Sequence, residues 1–175
     1  MTGDNVSGAD NQQERPLAAG WVVGFVDGEG CFSVPIFRQR SCRLGWQVQP
    51  EFAVVPSSRS VDVLRCMQQF FGCGSVTINR RRDNHRADMW RFGVRRLDDL
   101  SGCIIPFFEA NPLRTAKASD FAGFAWVIRM MEQGHHLEVE GLQQIAKVVQ
   151  TMNRRKPSQL VESSETIRQP PHLDG

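Results

Sequence analysis

The chain lacks several features, and each absence narrows its reading. No apolar run approaches the ~18–20 residues of a membrane span, so no membrane partner is expected. The first fifteen residues are polar and acidic, without the apolar stretch of a secretory signal. The five cysteines (Cys31, Cys42, Cys66, Cys73 and Cys103) are odd in number and show no CxxC spacing. That speaks against a disulfide framework and for buried, reduced thiols in an intracellular setting: cytoplasm, nucleoid or organelle matrix. Two of the four histidines are adjacent, His135 and His136, but no HExxH occurs, which excludes the commonest zinc-hydrolase pattern. Between Cys31 and Arg96 there is not one lysine.

Arginine fills that gap. The segment holds twelve arginines against four acids (Glu51, Asp62, Asp83 and Asp88), a net of +8 within a chain whose net charge is +2. Concentrated arginine is the electrostatic footprint of a nucleic-acid surface, and its planar fork suits both phosphate and guanine. The plainer alternative is a solvated face that uses arginine in place of lysine.

The most unusual stretch is Gly20 to Val34. Pro16 suits a first helical turn, which predicts a helix over about 15–28. Glycines recur one turn apart at Gly20, Gly24 and Gly28, among Leu17, Trp21, Val22, Phe25 and Val26. Such a helix reads as fully buried. Each glycine costs about 0.8–1 kcal/mol against alanine. Close approach of a second helix is the usual offset for a stripe of small residues. Asp27 and Glu29 stand at the end where the macrodipole is already negative, so they call for a cation. Gly28 and Gly30 let the chain leave the helix for a strand.

Beyond this stretch the pattern predicts an ordered series of elements. Phe32, Val34 and Ile36 alternate as a strand over 31–36, and Val48, Phe52 and Val54 do so over 47–54, with Pro50 marking a bend or an edge. Gln47, Gln49 and Glu51 fall on the opposite face. A helix runs to Phe71, with caps among Ser57, Ser58 and Ser60 and a stop at Gly72. A hairpin follows (75–82 and 87–95), in which Trp90, Phe92 and Val94 oppose Arg91 and Arg95. Further helices cover 98–109, 115–133 and 139–153. The expected organisation is a disordered segment 1–14, one α+β domain 15–153 with a four-stranded antiparallel sheet backed by helices, and a polar tail 154–175.

Val22-Val-Gly-Phe-Val-Asp-Gly-Glu-Gly30 resembles the nine-residue signature of the LAGLIDADG homing endonucleases. Val22 and Val23 stand where the family has leucine and alanine. The element order matches the family's α-β-β-α-β-β-α core over roughly 16–153. The signature occurs once, as in family members that dimerise through this helix; Gly20, Trp21, Val23 and Gly24 would form that interface. The resemblance implies double-strand cutting of a long pseudo-palindromic site, carried by a mobile intron. Glu29 would be the metal-binding acid, with the Gly28 carbonyl as a second ligand, and Mg²⁺ the cation suited to hard oxygens. Asp27 would be structural. Lys117, with Arg114 as its rival, would be the catalytic cation. The sheet's polar face would lie on duplex DNA through Ser33, Arg38, Arg40, Gln47, Gln49, Asn79, Arg81 and Arg91. In one respect the chain departs from the family. Pro56 stands where a water-organising glutamine can occur, which leaves that role vacant or passes it to Ser57, Ser58 or Arg59. The competing reading is a non-cleaving binder on the same fold, either an RNA maturase on intron RNA or a transcription regulator. An unrelated α+β domain would require the signature to be accidental.

Overall fold

A computed structural model describes residues 17–56, 61–79 and 89–152. A four-stranded antiparallel sheet carries helices on one face. The helix α1 spans Ala19–Glu29 and leads directly into β1, Gly30–Ser33. The sheet also holds β4 (Glu51–Val54), β5 (Ser75–Asn79) and β6 (Met89–Val94), in the order β1-β4-β6-β5. A second ribbon, β2 (Ile36–Arg38) with β3 (Trp46–Val48), extends from the β1–β4 edge.

The two long strands expected from the alternation are each broken, and proline is the reason. Pro35 interrupts the first and Pro50 the second, since neither can donate to the ladder. The register nevertheless runs through. Ser33 pairs with Glu51, Ile36 pairs with Val48, and Gln49 N–H donates to Pro35 O at 2.9 Å between them. The chain turns back through Gly45, at φ 71°.

Helix α2 (Val61–Phe71) buries Leu64, Met67 and Phe71 at helical spacing. Gly72, at φ 64°, ends it, and its N–H returns to Gln68 O at 2.9 Å. The serine caps expected for α2 lie outside the described residues. The helix expected at 98–109 is one run in three parts: α3 (Leu97–Asp99), a π turn (Leu100–Ile104) and α4 (Ile105–Ala110). Pro106 lacks the N–H for an α-type bond, and the wider turn accommodates it. Helix α5 (Lys117–Glu132) packs on β1, and α6 (Val139–Thr151) packs on α5. The core is aromatic: Phe32, Phe52, Phe92, Phe108 and Phe124 are fully buried. Phe32 stacks on Phe52 and meets Phe108 edge-on at 5.5 Å.

The structure corrects three expectations. Leu17 and Ala18 precede α1 instead of forming its first turn, and Pro16 lies outside the described residues. Helix α1 is not buried all round: only Val22, Val23 and Val26 are buried, and Phe25 packs on the core while partly exposed. The cysteines are free thiols as expected, but Cys31 is exposed and the other four are only partly buried.

Candidate active site and nucleic-acid interface

The end of α1 meets the start of α5 in a reciprocal clasp. The Asp27 carboxylate accepts from Arg114 N–H at 3.0 Å, Thr115 N–H at 3.3 Å and the Thr115 hydroxyl at 2.7 Å. These donors belong to the approach to α5, where helical N–H groups lack partners of their own. In return Lys117 sends its ammonium to the end of α1, donating to Asp27 O at 2.6 Å and Gly28 O at 2.9 Å. A lysine in the first turn of α5 opposes that helix's dipole, yet the same charge complements the negative end of α1. The cation that the acids called for is therefore present. Burial would raise the pKa of Asp27, but the Arg114 and Thr115 hydrogen bonds and the Lys117 charge outweigh it and hold the carboxyl below its ordinary value.

Glu29, the last residue of α1, is half-buried beside this clasp. Its carbonyl accepts from Val55 N–H at 3.3 Å, so the loop leaving β4 begins at the same point. Pro56 follows there, buried, whereas Ser57, Ser58 and Arg59 lie outside the described residues.

The glycine stripe of α1 faces away from the core. A Cβ added at Gly20, Gly24 or Gly28 would meet nothing within 4 Å. Trp21 is 42 % exposed on the same side, its ring stacked on Phe25 at 4.8 Å. Val23, expected on this face, is turned into the core, because the apolar side of the helix is occupied by the sheet and helices beneath it.

The sheet's other face is polar and basic. Ser33, Glu51, Thr77, Arg91 and Arg95 share it by register and alternation. A shallow hollow of about 470 Å³ opens at its β5–β6 end, lined by Ser75, Thr77, Arg91, Arg95 and Arg96 among others. Glu51 pairs with both Arg91 and Arg95, the latter at 2.7 Å.

Three comparisons fit this geometry. The family model described as LAGLIDADG endonuclease matches residues 22–128. A protein named probable intron-encoded endonuclease 3 from Neurospora crassa is 35 % identical over 135 residues, which is 76 % of this chain and 24 % of that one. The chain belongs to the LAGLIDADG endonuclease family. Among solved structures, the homing endonuclease I-TnaI superposes with a TM-score of 0.79 at 40 % identity, over 88 % of this chain and all of that one. The meganuclease I-SmaMI, solved bound to uncleavable DNA, gives 0.76 at 27 % identity over 86 % of this chain and 49 % of its own. The chain thus spans about a quarter of the fungal relative and half of the DNA-bound one.

Within the LAGLIDADG fold, the structure brings some expected residues together and separates others. Glu29, Gly28 and Lys117 meet at the end of α1. Arg114 reaches that end through its backbone, whereas Lys117 reaches it with its charge. Ser33 and Arg91 lie on the sheet's polar face, and the alternation carries it on to Gln47 and Gln49 in the extension. Arg38 sits at the far end of β2 paired with Trp46, its guanidinium 4.9 Å above the indole, and is out of phase with Gln47. Arg40 is exposed on the tip between β2 and β3. Asn79 closes β5 opposite Met89, and Arg81 lies outside the described residues.

Two partners escaped the sequence reading. Thr115 holds Asp27 from 88 residues away. Glu51 gathers two arginines, and a lone acid in a strand amid so many arginines was the available signal.

The donors suit a hard divalent cation. The Glu29 carboxylate and Gly28 carbonyl are oxygens at one helix end, and the carbonyl keeps a second lone pair beyond the one Lys117 uses. Among the described residues no three metal-binding side chains converge.

Proposed function

We propose that this LAGLIDADG chain is a site-specific double-strand DNA endonuclease, carried by an intron, that works as a two-fold pair with a divalent cation, Mg²⁺ by the character of its donors. The observation that carries this reading is the end of α1. An acid, a backbone carbonyl and a lysine ammonium share it, directly below a helix face with no covering of its own.

Two chains meeting on Gly20, Gly24 and Trp21 would bring two Glu29 carboxylates near the scissile phosphates. A two-fold contact is self-complementary, so each chain supplies one acid for one strand. The match to about half of the DNA-bound I-SmaMI chain fits two such units per duplex. Glu29 and the Gly28 carbonyl would hold the cation. A divalent ion held there would supply Lewis acidity at the scissile phosphate. Lys117 offsets the negative end of α1, and its ammonium is available to the charge that builds on the phosphate. The arginine-bearing sheet would lie along the major groove, with phosphate contacts giving affinity and base edges giving the site. A non-cleaving binder would use the same sheet but leave Glu29 without a task.

The test is a supercoiled plasmid carrying the joined flanks of the intron that holds the reading frame. Wild type should linearise it with Mg²⁺ and leave it intact in EDTA. Glu29→Gln should bind the same DNA as well or better and leave it uncut. Full cutting by that variant removes Glu29 from the mechanism.

A further inference from the structure

The polar face of the sheet carries a feature that a simple basic surface does not explain. Glu51 on β4 is only 13 % exposed at its side chain, although it stands among arginines in the middle of the face. Its two oxygens are divided. Oε2 faces Arg91 and Oε1 accepts from Arg95 Nε at 2.7 Å. Arg95 lies opposite Glu51 in the register, but Arg91 is two rows away along β6.

The chain between them explains the reach. Gly93 and Ala53 lie under the pair, and a Cβ at Gly93 would already come within 3.3 Å of Glu51 Oε1. Arg91 therefore lies across the sheet, its Nε buried and without a hydrogen-bond partner among the described residues, and its side chain 27 % exposed. An unsatisfied buried donor is unfavourable, so this orientation is held by Glu51 and is not the arginine's own preference.

We propose that Glu51 is a positioning residue for sequence specificity: it fixes Arg91 and Arg95 so that they read guanine edges and do not grip phosphate wherever they meet it. The proposal rests on the DNA-binding reading above. A free arginine finds phosphate anywhere on a duplex, which adds affinity and no discrimination. A guanidinium held in one plane matches the O6 and N7 acceptors of guanine and loses less freedom on binding. The carboxylate also repels phosphate, which penalises the unspecific register.

The probe is a duplex pool with a fully random centre, selected on the protein and sequenced, together with binding of one arbitrary duplex over a salt series. Wild type should enrich a site containing guanines that Arg91→Ala no longer selects. Glu51→Gln should bind the arbitrary duplex at least as well, with a steeper salt dependence. It should lose roughly tenfold or more of its discrimination at those guanines, in line with the worth of a bidentate contact. Glu51→Asp keeps the charge but withdraws the oxygens; it should lose the same preference with the salt slope unchanged. Melting curves check that each variant is folded. Preferences that survive in a folded Glu51→Gln and a folded Glu51→Asp overturn the proposal. So does a loss of all binding by folded Glu51→Gln, which would make Glu51 itself the contact. If wild type retains no duplex, the DNA-binding reading falls and takes this inference with it.

Discussion

Asp27 and Lys117 each stand at the helix end that does not suit their charge, and each is answered by the other helix. That exchange makes two predictions at the level of single residues. Removing the ammonium in Lys117→Ala leaves Asp27 O and Gly28 O without their donor. For a partly exposed, charge-assisted contact the cost is about 1 kcal/mol, or roughly 3 °C in Tm for a chain of this size. Asp27 supplies the second. Its folded pKa lies below the unfolded value of 3.8, so the folded state binds fewer protons in that range. The stabilisation is complete above the unfolded value and is lost as pH falls through the folded one. Melting curves between pH 5 and pH 2.5 should fall more steeply for wild type than for Asp27→Asn. Identical acid limbs would mean that the carboxylate is not held as described. Thr115 shows why the clasp was hard to read in the sequence. Nothing local marks a threonine as the partner of an acid 88 residues away.

At the level of elements, α1 carries the sharpest contrast. A Cβ at Gly24 meets nothing, whereas one at Gly30 would come within 2.5 Å of Val26 Cγ1 and 2.7 Å of Val26 O. Gly24→Ala should therefore raise the stability of the monomer, read from its melting curve, by the helix-propensity difference of about 1 kcal/mol. Gly30→Ala should lower it by about 1–3 kcal/mol through overpacking. Equal changes at the two positions would contradict the contrast. The elements were legible in the sequence because alternation and helical spacing record which side is buried. Phe52, Phe92 and Val94 point to the core as their pattern required. Pro50 announced its bend, but the pattern did not record the backbone geometry that proline imposes at Pro35 and Pro106. Nor could it tell a helix buried all round from one with an open side. Composition is apolar in both cases, and only the neighbours distinguish them.

For the whole molecule, the charge asymmetry and the open helix face belong to one account. Arg91 and Arg95 lie on the sheet's polar side, and an arginine outside it tests that placement. Arg129 is paired with Glu109 among the helices, away from the sheet. Arg91→Ala should weaken duplex binding at its guanines with little change in salt dependence, while Arg129→Ala should change neither affinity nor preference. The end of α1 was legible because the signature fixes its acids and glycines together, whereas the proposed pairing involves two chains. The central claim is that the glycine face of α1 is where those chains meet. Sedimentation at micromolar concentration tests it most directly, for wild type and Gly24→Leu, with and without target DNA, next to plasmid cutting by the same samples. The account predicts that wild type pairs on DNA and cuts both strands. Gly24→Leu should keep its fold, because a Cβ there meets none of the described residues within 4 Å, yet remain single and make no double-strand break. A wild type that stays monomeric on DNA and still cuts both strands would contradict it.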